Sequence, residues 1–139
     1  MAKMYYQDDA DLVHIQDKAI GVMGYGSQGH AHSLNLKDSG MNVAIGLYEG
    51  SASRAKAEEQ GLEVGLVADV ARDSDIIMML LPDTAMAEVY KESVQPHLSA
   101  GKTLMFAHGF NIHYKTIVPP DNVDVSMVAP KAPGHRMRE

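Results

Sequence analysis

Residues 19–29 constrain the fold more than any other part of the sequence. A short apolar run, Ala19-Ile20-Gly21-Val22-Met23, passes directly into Gly24-Tyr25-Gly26-Ser27-Gln28-Gly29, and a helix-like stretch follows from about Gln28 to Asp38. A G-x-G-x-x-G string alone is a weak signal, but between a strand and a helix it acquires a physical meaning. The first glycine makes the tight turn, the second lets the backbone approach a pyrophosphate, and the third lets helix and strand pack closely. The N–H groups that open the helix, reinforced by its dipole, favour a bound phosphate. The competing reading is a plain strand–helix turn.

The same alternation recurs along the chain. Val43-Ala44-Ile45-Gly46-Leu47 reads as a strand, Ser53 to Gln60 as a helix, and Leu62-Glu63-Val64 as a short strand. Val67 to Arg72 reads as a short helix. The continuous run Ile76-Ile77-Met78-Met79-Leu80-Leu81, closed by Pro82, fits a strand buried on both faces. Thr84 to Val94 reads as a helix with Asp83 or Thr84 as its N-cap. Thr103 to Ala107 and Val123 to Ala129 complete the strands, while Gly40 and Gly61 stand where helices should stop. Strands separated by helical crossovers predict an α/β fold, a doubly wound, mostly parallel sheet with helices on both faces. Ligands of such a sheet sit outside the carboxyl ends of the strands.

Composition narrows the classes of function. The chain has 139 residues, room for one domain, and its 45 % hydrophobic and 22 % charged residues argue against disorder. With 12 basic and 18 acidic residues the net charge is −6, which argues against general binding of nucleic acid or of an anionic membrane. No apolar run approaches the ~18 residues of a membrane-spanning helix, and Met1 to Asp9 lacks the apolar segment of a signal peptide. The absence of cysteine excludes disulfides, thiolate metal sites and cysteine nucleophiles, and fits a reducing cytoplasm.

The functional residues should therefore follow strands. Beyond the glycine turn, Tyr48-Glu49-Gly50-Ser51-Ala52-Ser53-Arg54 follows the second strand, where this architecture meets the adenosine ribose. An inward Glu49 would favour NAD; Ser51, Ser53 and Arg54 offer donors for a 2′-phosphate, and the balance leans to NADP. The two serines also fit as helix caps. Pro82-Asp83-Thr84-Ala85-Met86 should pass beside the nicotinamide half of a cofactor. His108, after the fifth strand, is the strongest candidate for a catalytic side chain, since imidazole holds or releases a proton near neutral pH; a structural histidine is the alternative. His30, His32 and His113 lack an acidic partner at metal-binding spacing and read as packing or surface residues. Lys131, in the rigid Pro130-Lys131-Ala132-Pro133-Gly134-His135 string, could meet an anionic substrate or belong to a linker.

Taken together, Gly24 to His32, Asp38-Ser39-Gly40, Leu81-Pro82-Asp83, Phe106 to His113 and Val128 to His135 resemble, in order and over nearly the whole chain, the N-terminal NADPH-binding domain of ketol-acid reductoisomerases. The resemblance implies a two-part reaction. Magnesium promotes an alkyl shift in 2-acetolactate or 2-aceto-2-hydroxybutyrate, and NADPH then reduces the product to a 2,3-dihydroxy acid in branched-chain amino acid biosynthesis. It also implies residue roles. Within the Gly24–Gly29 turn, Tyr25, Gly26, Ser27 and Gln28 hold the pyrophosphate, Ser51 and Ser53 meet the 2′-phosphate, and Asp83, Thr84, Ala85 and Met86 line the cofactor groove. His108 matches the active-site histidine; Lys131 and Gly134 match the loop between cofactor and substrate. Tyr48 replaces a basic residue often found there and could stack on adenine, which leaves NADH open as a cofactor.

The family continues into a helical domain that carries the acidic magnesium ligands and the oligomer contacts, and the sequence contains none of it. The expectation is one Rossmann-type domain over residues 1–139, with 131–139 a candidate mobile tail, no metal ligand, and no turnover by this chain alone. Another small Rossmann dehydrogenase, or a non-catalytic nucleotide-binding module, is the alternative.

Overall fold

The apolar runs become strands because helices cover them on both faces. The computed structural model describes residues 1–139. Its six strands are β1 (Ala19–Met23), β2 (Asn42–Leu47), β3 (Glu63–Leu66), β4 (Ile76–Met79), β5 (Thr103–Phe106) and β6 (Asp124–Met127). They form one sheet in the order β3-β2-β1-β4-β5-β6, and every pair is parallel. Strand order reverses between β1 and β4, where Val22 stands opposite Met78. This is the doubly wound Rossmann-type arrangement, and a crevice must open at its switch point.

The crossovers are α1 (Ser27–Asp38), α2 (Ser53–Glu59), α3 (Val67–Asp73), α4 (Asp83–Val89) and α5 (Phe110–His113); α6 (Gly134–Arg138) follows β6. Because side chains alternate along a strand, the sheet feeds two separate cores. Ile20, Val22, Val43, Ile45 and Met78 pack with Leu34 of α1 and Ala57 of α2. On the other face Met23, Ile77, Met79, Leu104 and Phe106 pack with Val70 of α3 and Met86 of α4. Local contacts pin the frame. The Asp75 carboxylate accepts the Ala19 N–H at the start of β1 (2.9 Å), and the Lys102 ammonium donates to the Ala71 and Arg72 carbonyls that end α3. Burial pushes the Lys102 pKa down, against the pull of Asp75 and Asp73.

Several boundaries differ from the sequence reading. The run 76–81 is paired only to Met79; Leu80 still donates to the Met23 carbonyl (3.0 Å), but Pro82 then turns the chain away. Neither Asp83 nor Thr84 caps α4. Pro82 takes the cap position, and its carbonyl accepts from Ala85 and Met86, so Asp83 lies inside the first turn with its carboxylate free of cap duty. The helix continues past Val89 as a π-helical turn, Tyr90–Val94. α5 and α6 were not expected. Within residues 131–139, Gly134–Arg138 form α6, which lies along α1. The Arg138 guanidinium bonds Asn35 (2.8 Å) and Asp38 (2.7 Å) at the end of α1, where a cation also suits the helix dipole. β6 is an edge strand with all four residues exposed. No helix is long and apolar enough to cross a membrane.

Candidate dinucleotide site

The glycine turn is built by backbone crowding. Gly24 has φ +99°, a conformation that L side chains rarely adopt, and its N–H donates to the Gly46 carbonyl (3.0 Å). A Cβ at Gly29 would stand 2.5 Å from the Gly24 carbonyl oxygen, so only glycine lets α1 start this close to β1. Gly26 is different. It is the N-cap of α1, no side chain caps the helix, and a Cβ there would meet nothing within 4 Å. The first hydrogen bond of α1 runs from the His30 N–H to the Gly26 carbonyl (2.8 Å). The N–H groups of the turn before it have no partner within the helix, and the space over Gly26 is clear. The positive end of a 12-residue helix is thus left open at the mouth of the sheet.

Two cavities meet there. One, of 450 Å³, runs from the turn past Leu47, Tyr48, Ser51 and Ser53 to Leu80, Leu81 and Pro82. The other, of 310 Å³, is lined by Asp83, Met86, Ala107, His108 and Pro130. Both share Gln28 and Leu80–Pro82, so together they form one trough from Tyr48 to His108. The structure brings Gly24, Tyr25, Gly26, Ser27, Gln28, Tyr48, Ser51, Ser53, Asp83, Met86 and His108 to that trough. Thr84 and Ala85 lie on the exposed side of the first turn of α4, Lys131 is exposed beside Pro130, and buried Gly134 packs against Ser27 rather than lining the trough.

Individual contacts refine these placements. The Ser51 hydroxyl accepts the Ser53 N–H (3.3 Å), and the Tyr48 ring is exposed. Arg54, expected to offer a donor to a 2′-phosphate, is engaged elsewhere. Its guanidinium pairs with Glu58 one turn along α2 (2.9 Å) and donates to the Val64 carbonyl (3.3 Å). The Gln28 amide donates to the Ala132 carbonyl (3.0 Å), while its oxygen is buried without a partner. The Tyr25 hydroxyl is also buried and unpartnered; burial raises the phenol pKa and Arg138 opposes the rise. His30 stacks edge-on against Tyr25, His113 packs against Tyr114, and His32 is buried with its Nε2 unpartnered and its pKa lowered by burial. No group of three or more His, Asp or Glu side chains is arranged to hold a metal ion. The residues of this chain therefore do not fit the magnesium implied by the resemblance.

Sequence reasoning missed Asn111. It is buried, its amide donates to the Asp83 carbonyl (3.3 Å) and to the Met86 sulfur (3.5 Å), and its oxygen accepts from the Thr116 hydroxyl (2.6 Å). It ties α5 to the start of α4. The only trace in sequence is an amide residue three positions after His108.

The family model for the acetohydroxy acid isomeroreductase NADPH-binding domain matches residues 14–139. The chain belongs to the ketol-acid reductoisomerase family. A solved NADH-preferring ketol-acid reductoisomerase from an uncultured archean is 46 % identical, with a TM-score of 0.93, over 99 % of this chain and 43 % of its own. This chain thus spans less than half of that reductoisomerase. More distant structures share the fold alone. One is a semialdehyde dehydrogenase NAD-binding protein from Cupriavidus necator (19 % identity, TM-score 0.72, 84 % of this chain and 42 % of that one). Another is pyrroline carboxylate reductase from Plasmodium falciparum (20 %, 0.62, 78 % and 41 %). In this chain the trough occupies the crevice where the doubly wound sheet reverses its strand order.

Proposed function

We propose that the trough binds a nicotinamide dinucleotide, and that the chain is the cofactor-binding part of a ketol-acid reductoisomerase. That enzyme would convert 2-acetolactate or 2-aceto-2-hydroxybutyrate to 2,3-dihydroxy acids in branched-chain amino acid biosynthesis. The observation that carries this reading is the open N-terminus of α1 with clear space over Gly26, at the centre of a trough that ends at His108. The N–H groups there hold the pyrophosphate. The adenosine half lies toward Tyr48, Ser51 and Ser53, and the nicotinamide half toward Asp83, Met86 and His108. Bound in this way, the dinucleotide supplies the hydride. The chain's own residues orient it, the Leu80–Pro82 wall keeps water from one side, and His108 holds a proton near the reacting end. Lys131 meets the acidic substrate when the rest of the enzyme is present.

Both NADPH and NADH are accepted in this reading. Ser51 and Ser53 offer neutral donors to a 2′-phosphate, but Arg54 is committed to Glu58 and Val64, so no cation of this loop is free to enforce NADP. Titrating the 139-residue chain with each reduced coenzyme, followed by nicotinamide fluorescence, tests the proposal. Saturable binding of both supports it, and binding of neither overturns it. Magnesium-dependent turnover of acetolactate by the chain alone would overturn its assignment as the cofactor-binding part.

A further inference from the structure

His108 has two possible partners at one ring nitrogen. The chain leaves β5 through Ala107, His108 and Gly109, and the first N–H of α5, that of Phe110, turns back onto the ring. It donates to Nδ1 at 3.2 Å. A nitrogen that accepts a hydrogen bond carries no proton, so the neutral ring is the Nε2–H tautomer. Nε2–H is then the only donor the neutral ring offers to a molecule in the trough.

The Asp83 carboxylate faces the same Nδ1. Its Oδ2 lies 3.7 Å away, and it is the sole carboxylate within 4.0 Å of the ring. That distance is too long for a hydrogen bond, as expected when both atoms can only accept. A second proton on the ring reverses the situation. Nδ1–H would repel the Phe110 N–H and attract the carboxylate, and a closure of about 0.9 Å would bring Asp83 to the ~2.8 Å of a charge-assisted bond. The Asp83 carboxylate makes no other hydrogen bond, because Pro82 rather than Asp83 occupies the cap position of α4. The spacing is held from behind by buried Asn111, whose amide binds the Asp83 carbonyl (3.3 Å). No other charged side chain pairs with the ring. His113 of α5 packs against Tyr114, Glu88 is exposed one turn along α4, and Lys131 lies on the exposed crossover beside Pro130.

We infer that Asp83 is a positioning residue for His108: the Phe110 amide fixes the tautomer of the neutral ring, and Asp83 receives Nδ1–H of the charged ring. Proton uptake at His108 thereby switches the partner of Nδ1 and keeps Nε2–H as the proton offered to the trough in both states. This rests on the placement of His108 beside the nicotinamide proposed above and adds to it how that ring is held.

The test is NMR of the 139-residue chain labelled with 15N-histidine and 13C-aspartate. The ring 15N shifts of neutral His108 should report the Nε2–H tautomer. Through the His108 titration, the Phe110 amide should move upfield as it loses its acceptor, and the Asp83 carboxyl carbon should show an inflection that disappears in His108→Gln. In Asp83→Asn the neutral tautomer should persist, since Phe110 sets it. A neutral Nδ1–H tautomer, or an Asp83 carbon blind to the ring's titration, overturns the inference. Coenzyme titration of the same samples separates the two readings. A chain that binds dinucleotide but shows the wrong tautomer loses only this inference; one with the expected tautomer and no coenzyme affinity loses only the proposed function.

Discussion

Replacing Gly26 by alanine separates the fold from the site. The position has φ −76° and ψ −163°, an extended conformation open to any residue, and a Cβ there meets nothing within 4 Å. The cost to the fold is confined to the N-cap preference, in which glycine exceeds alanine, about 0.5 kcal/mol. That corresponds to a fall in Tm of roughly 2 °C for a domain of this size. Binding should respond much more strongly. The added methyl occupies the space through which phosphate must approach the first N–H groups of α1. Losing one such charge-assisted hydrogen bond costs about 2–3 kcal/mol, equivalent to a roughly 30- to 150-fold rise in Kd. Circular-dichroism melts and fluorescence titration with NADH and NADPH on the same preparation measure both effects. A Gly26→Ala chain that melts normally and binds within about threefold of the parent would show that no phosphate lies over Gly26. A fall in Tm beyond about 5 °C would show that the clear space is not what decides the outcome.

Further substitutions probe other parts of the structure. Asn111→Ala removes the amide bond to the Asp83 carbonyl and one of the two bonds of the Thr116 hydroxyl, which keeps the residue 111 carbonyl as acceptor, and should lower stability by about 1–2 kcal/mol in urea melts; a change below about 0.5 kcal/mol would refute the tie between α4 and α5. Arg54→Ala should leave the NADPH-to-NADH affinity ratio unchanged, because its guanidinium already serves Glu58 and Val64, whereas Ser51→Ala with Ser53→Ala should weaken NADPH and spare NADH. A selective loss of NADPH affinity in Arg54→Ala would show that the side chain swings into the site. Burial holds the His32 pKa below its ordinary 6.5, so the unfolded chain binds more protons below that pH. The stability from a neutral His32 is present above pH 6.5 and is lost as pH falls through the lowered folded value. Urea midpoints measured across that range should show a slope that His32→Leu reduces, and an equal slope in both chains would refute the assignment.

Local rules made the strands, the glycine turn and the helix stops readable. Ile20 and Val22 beside a G-x-G-x-x-G announce β1, its turn and α1 because those features depend on neighbours a few residues away. Gly40 and Gly61, both with positive φ, end helices for the same reason. The same rules misplaced the α4 cap, since an aspartate before a helix is a good cap in general and Pro82 displaced it here. The π-helical turn at Tyr90 has no clear local signature.

What the sequence determined by itself is the doubly wound sheet and the position of its crevice. Continuous apolar runs, proline closures and glycine turns act within one element, so they can be read in order along the chain. Tertiary structure decided which side chains reach that crevice and in what chemical state. Arg54 is drawn away by Val64, ten residues on. Asn111 is bound to a carbonyl 28 residues back, and α6 is held to α1 across about a hundred residues. His108 owes its tautomer to the start of α5 and its carboxylate neighbour to the start of α4. Such contacts are set by where whole elements pack against the sheet, and no local pattern in the chain encodes that distance.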